Sequence, residues 1–157
     1  MDGWSIDPEH VAFAADGRAL IVGGVNESGW PHATRGWGFR VVGGLPVVLL
    51  DADDTNGAAC LTPGRHIAVS AADIRTFQSV QFKGVVVSVS EATEADHAAV
   101  ERYLTAFYDA VVEVDGVQPD LVERVTPSRY SACRFEPREV YDQTPGPGAG
   151  AAVLPRT

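Results

Sequence analysis

Ser79, Gln81 and Lys83 occupy alternate positions in RTFQSVQFKGVVVSV, residues 75–89, a segment that otherwise reads as a β-strand. Alternate residues of an extended chain share one face. Phe77, Ser79, Gln81, Lys83, Val85, Val87 and Val89 therefore form one row, polar at its start and apolar at its end. A hydroxyl, an amide and an ammonium in line can hydrogen-bond a flat polar or anionic ligand. The same row can also simply run into solvent. Arg35 and Arg40, in HATRGWGFR, are a second cationic pair. Arginine grips phosphate with two parallel hydrogen bonds. Their odd spacing puts them on opposite faces of a regular strand, and Gly36 and Gly38 permit a bulge that would bring them together. The alternative is two surface arginines on an edge strand.

Other groupings carry less chemistry. His10, His32, His66 and His97 are scattered without metal-motif spacing. Asp51, Asp53 and Asp54 lack the glycine and distal glutamate of a calcium loop and read as a solvated turn. Cys60 and Cys133 have no CxxC partner and read as buried free thiols. Ser128, Arg129 and Tyr130 read as the approach to a strand. No side chain stands out as an acid, base or nucleophile.

A chain of 157 residues, 45% hydrophobic and 21% charged, suits one soluble domain. A formal net charge of −9 argues against a broad nucleic-acid surface, while leaving room for a local basic pocket. No apolar run approaches membrane-spanning length. MDGWSIDPEH lacks the basic and apolar parts of a signal peptide, so a cytoplasmic location is expected.

Several elements must position these residues. DPEHVAFAADG predicts a short helix capped by Asp7, with Pro8 at its first position. ALIVGGV and WPHATRGWGFRVV predict two strands joined by an NESG turn. Gly43 and Gly44 predict another turn before LPVVLLDA, apolar enough to be buried on both faces. A short helix is expected within 53–62 and a strand at RHIAVSA. Gly84 suggests a bend in the long strand that follows. Thr93 and Asp96 predict a capping box for a helix over 93–112, with Val100, Tyr103, Leu104, Phe107 and Val111 as its apolar stripe. A shorter helix at 118–124 and a late strand bent at Pro137 complete the order. The Gly/Pro-rich end, 143–157, predicts an irregular tail behind a domain at 1–142. Six or seven consecutive strands favour an antiparallel barrel with peripheral helices.

This order of elements resembles the pyridoxamine 5′-phosphate oxidase-like family of flavin-binding split β-barrels. VNESGWPHATRG is similar to that family's first strand, D-x-x-G-x-P turn and basic second strand. TFQSVQFKGVVVSVSEATEADHAAVERYL is similar to its polar-to-glycine strand and long helix, and FEPREVYDQTPGPGAG to endings seen in one of its branches. The resemblance spans roughly residues 10–150. It implies a six- or seven-stranded antiparallel split β-barrel and a homodimer with FMN in a shared groove. It further implies oxidoreductase chemistry on a small-molecule substrate. Arg35 and Arg40 match two basic residues five apart that approach the flavin and its phosphate. Ser79, Gln81 and Lys83 would face the ring from an inner wall of the barrel. Thr55 and Asn56 stand where the family has a Ser-Arg-Lys-like phosphate patch at a helix start. There this chain departs, because Asp53 and Asp54 would repel a phosphate. Relatives of the fold bind the deazaflavin F420 or haem, so these are alternative ligands. A non-catalytic binding module that keeps the barrel is the competing reading.

Overall fold

The structure, a computed structural model, describes residues 6–153. Helix α1 (Pro8–Ala15) precedes strands β1 (Ala19–Val25), β2 (Pro31–Val42) and β3 (Leu45–Asp51). Helix α2 (Thr55–Cys60) leads to β4 (His66–Ala72) and β5 (Ser79–Glu91). Helices α3 (Glu94–Asp115) and α4 (Pro119–Arg124) then precede β6 (Tyr130–Asp142) and the short β7 (Ala151–Ala152).

The sheet runs β3-β2-β1-β4-β5-β6-β7, every pair antiparallel, and β3 also pairs with β6. That pairing closes six strands into a barrel, with β7 as an extra strand. Closure satisfies strand edges that would otherwise invite aggregation. Alternation sorts the side chains. Leu20, Val22, Val69, Val80, Phe82 and Phe135 point inward and are almost wholly buried. Phe39 stacks on Phe82 at 5.4 Å between ring centroids and meets Phe135 edge-on at 6.4 Å. Burying a side chain of this size contributes roughly 1.5–3 kcal/mol. Trp37, Val47, Leu49, Val100 and Tyr130 form a second cluster, between the outer wall and α3.

Local signals in the sequence account for much of this. Asp7 caps α1, accepting a hydrogen bond from Glu9 N–H. Asn26 fixes the β1–β2 turn by accepting from the N–H groups of both Ser28 and Trp30. Gly43 and Gly44 both adopt positive φ between β2 and β3, which L side chains resist. The capping box forms as expected: Thr93 N–H donates to Asp96 at 2.8 Å and Asp96 N–H donates to Thr93 Oγ1 at 3.2 Å.

The structure corrects three expectations. The strand read at 75–89 begins only at Ser79. Asp73 and the residues after it form a turn in which Phe77 N–H donates to Asp73 O, Arg75 N–H donates to the Asp73 carboxylate, and Phe77 takes φ +61°. The row of Ser79, Gln81 and Lys83 faces outward rather than lining an inner wall, because Val80, Phe82 and Val86 occupy the interior. The tail is not wholly irregular. Gly150 N–H donates to Asp142 O and Val153 N–H to Val140 O, laying β7 along the end of β6.

Candidate functional site

The outer face of β1, β4, β5 and β6 carries a groove of about 480 Å³. Small-molecule sites commonly fall in the range ~300–1,000 Å³. Strand register builds its floor. Ala33, Gly23, Ala68, Lys83 and Glu139 are successive cross-strand partners from β2 to β6. On one side runs the next outward row: Arg35, Ile21, Ser70, Gln81 and Tyr141. On the other side lie Val25, His66 and Val85.

The floor is open because its central residues, Gly23 and Ala68, are small. A Cβ added at Gly23 would meet nothing within 4 Å, so packing does not require glycine there. The β1 end is apolar, and Ile21 and Val25 are 51% and 43% exposed. The β5–β6 end is charged. Lys83 Nζ sits 4.8 Å from the centre of the Tyr141 ring. Arg138 pairs with Glu136 at 2.9 Å, and Tyr141 OH donates to Glu139 at 2.7 Å. Gln81 Nε2 donates to Ser70 Oγ at 2.8 Å, so the amide and hydroxyl of that row satisfy each other. A floor of small residues, an apolar end and a cationic end suit a planar ring with an anionic tail.

The seven residues singled out in the sequence do not converge. Gln81 and Lys83 stand at the groove. Ser79, on the same row, lies at the far end of β5 beneath the tail, its N–H donating to Thr144 Oγ1 at 3.1 Å. Arg35 and Arg40 do share a face, because the β2–β3 register shifts between Gly36 and Gly38. That face lies against α3. Arg40 Nε is 2.7 Å from the buried carboxylate of Asp96, an ion pair whose angle is not that of a hydrogen bond. The Arg35 guanidinium lies 4.7 Å from the Trp37 ring and 4.2 Å from the Phe107 ring. Burial pushes the neighbouring Tyr103 hydroxyl up to about 12, against the opposing charge of Arg35.

Thr55 and Asn56 open α2, whose N-terminus is filled by its own cap. Asp54 Oδ1 accepts from Gly57 N–H at 2.9 Å. Burial works to raise the Asp54 pKa. Hydrogen bonds from Gly57 N–H and the Thr34 side chain, with the charge of His32, outweigh it and hold the carboxyl below its ordinary value. His32 Nε2 stands 3.8 Å from Asp54. His32 and Thr34 therefore face α2, while Ala33 between them faces the groove, so α2 lies across the β1–β2 hairpin from the groove floor.

Gly23, Ala68, Arg138 and Glu139 are not singled out by the sequence, and His66 only as one of four scattered histidines. Their alternation within each strand is visible, but their meeting depends on which strands pair and in what register. Among the described residues no group of His, Cys, Asp and Glu is placed to hold a metal ion. No described helix is long and apolar enough to cross a membrane.

No protein-family model matches the chain, and no curated protein sequence does. Solved structures do. An F420 reductase is similar with a TM-score of 0.55 at 13% identity, over 86% of this chain and 98% of that one. HupZ of Group A Streptococcus gives 0.53 at 13% identity, over 92% and 99%. A candidate pyridoxamine 5′-phosphate oxidase from Lactobacillus delbrueckii gives 0.50 at 14% identity, over 87% and 93%. The chain has the pyridoxamine 5′-phosphate oxidase-like split-barrel fold. At these identities the likeness establishes architecture, and the split barrel's chemistry has to be argued from its groove.

Proposed function

We propose that this split barrel binds a flavin-type cofactor, FMN or a deazaflavin, in the outer groove, and uses it in oxidoreductase chemistry on a small molecule. The observation that carries this reading is the groove itself: a floor of Gly23 and Ala68 with Lys83 and Arg138 lining its β5–β6 end. An F420 reductase of the same fold makes a deazaflavin a natural alternative to FMN.

When bound, such a ring supplies hydride chemistry, and the protein's part is position and electrostatics. The small floor residues would let the ring lie flat. Ile21 and Val25 would cover its apolar part, and Gln81, already donating to Ser70, has a carbonyl to offer a ring N–H. A second copy of the chain, laid over Ile21 and Val25, would bury these exposed side chains and close the groove to water. The functional unit in this reading is a homodimer.

The test is made on one purified sample. Light scattering should give twice the mass of the chain. Titration with FMN and with F420 should give saturable binding of one of them, read as a shift in its visible absorbance. A monomer with neither ligand bound would refute the reading.

A further inference from the structure

We infer that the anionic end of the groove ligand is held at the β5–β6 end by Lys83 and Arg138, and not by the first turn of α2 or the two arginines of β2. This deepens the flavin-type reading above and rests on it.

The alternatives are paired or buried away from the groove. The start of α2 is neutralised by the Asp54 carboxylate, which accepts from Gly57 N–H, and it lies across the hairpin from the groove floor. A phosphate there would meet Asp54 directly. Arg40 is committed to Asp96 at 2.7 Å, a carboxylate only 4% exposed that also serves the α3 cap. Releasing Arg40 would strand a buried charge, a costly step. Arg35 lies against the Trp37 and Phe107 rings, with its Nε and Nη2 buried and without a hydrogen-bond partner among the described residues, and it does not line the groove.

Lys83 and Arg138 differ in each respect. Both line the groove. Lys83 is exposed and steadied by the Tyr141 ring. The Arg138–Glu136 pair is half in solvent, with side-chain exposures of 53% and 38%. Such pairs contribute little, so Arg138 can exchange Glu136 for a phosphate at small cost. A guanidinium then offers a phosphate two parallel donors and the ammonium a third. Glu139 opposes this from the same wall, with Tyr141 OH drawing on its charge. Among the lining residues two cations face that one carboxylate, and Glu136, once released, can turn to the solvent in which it is already 38% exposed. A tail phosphate therefore gains from this end and from no other part of the groove.

The test compares FMN with riboflavin, which carries the same ring without the phosphate, by flavin fluorescence titration. Wild type should prefer FMN by about tenfold or more, the worth of at least one charge-assisted hydrogen bond. The double variant Lys83→Gln/Arg138→Gln should bind riboflavin as wild type does and bind FMN no better than riboflavin. Both positions are exposed, and circular dichroism checks that the variant is folded. The variant Thr55→Ala/Asn56→Ala should keep the preference. Retention of the preference by the first variant, its loss in the second, or equal binding of the two flavins by wild type overturns the inference while leaving the ring site standing. Binding of neither flavin by wild type overturns the inference and FMN as the ligand together.

Discussion

At Gly84 the barrel wall leaves no room for a side chain. A Cβ there would lie far inside van der Waals contact distance of the Glu136 carbonyl oxygen, and Gly84 faces Pro137 across the strands where the β5–β6 register shifts. The obstacle is backbone, which cannot swing aside. Gly84→Ala should therefore cost about 1–3 kcal/mol or more, seen as a lower midpoint in urea unfolding. An unchanged midpoint would contradict this packing. The position was legible in the sequence, because a lone glycine inside a β-branched run signals a bend. The role of Gln81 was less so: its amide donates to Ser70, eleven residues away, and only register brings them together. Lys83 was singled out for its charge, yet its wall, with Arg138 and Glu139, comes from a strand more than fifty residues later.

Among the elements, α3 was the most legible. Thr93 and Asp96 cap it as their spacing predicts, and Tyr103 and Phe107 bury its apolar stripe. The bulge in β2 was legible as a possibility from Gly36 and Gly38, but not its consequence. Sharing a face puts Arg35 and Arg40 beneath α3, where aromatic rings and Asp96 hold them. The start of β5 falls later than the extended run suggests, because Asp73 ties down a local turn, its carboxylate accepting from Arg75 N–H and its carbonyl from Phe77 N–H. For α2, the acidic residues that seemed only to repel a phosphate include the helix's own cap. The folded-state pKa of Asp54 lies below its unfolded value. Its ionised form therefore contributes stability above about pH 4, and that contribution is lost as pH falls through the folded-state pKa. Asn also caps helices but does not titrate. Asp54→Asn should thus lose less stability than wild type between about pH 5 and pH 2, by urea midpoints across pH. An acid limb as steep as wild type would show that Asp54 does not carry this dependence.

At the scale of the molecule, closure of β3 on β6 turns a linear run of strands into an inside and an outside. The barrel could be read from the alternation and short turns. Which face of β5 would be wet could not, since an interior row and an exterior row alternate alike. The decision came from Val80, Phe82 and Val86 filling the interior. With that, Gln81 and Lys83 fall on the outer face, and the groove rises between them and the hairpin of β1 and β2. The central claim is that a flat ring lies on the floor at Gly23. A Cβ added there meets no protein atom within 4 Å, so Gly23→Leu can send its side chain into the groove from an unstrained start. Replacing a strand glycine should leave stability equal or slightly higher. The decisive measurement is a parallel titration of wild type and Gly23→Leu with FMN and F420, alongside their thermal unfolding. The account predicts saturable binding of one of these ligands by wild type and its loss in a variant that unfolds at the same temperature or higher. Undiminished binding by the folded variant would contradict it.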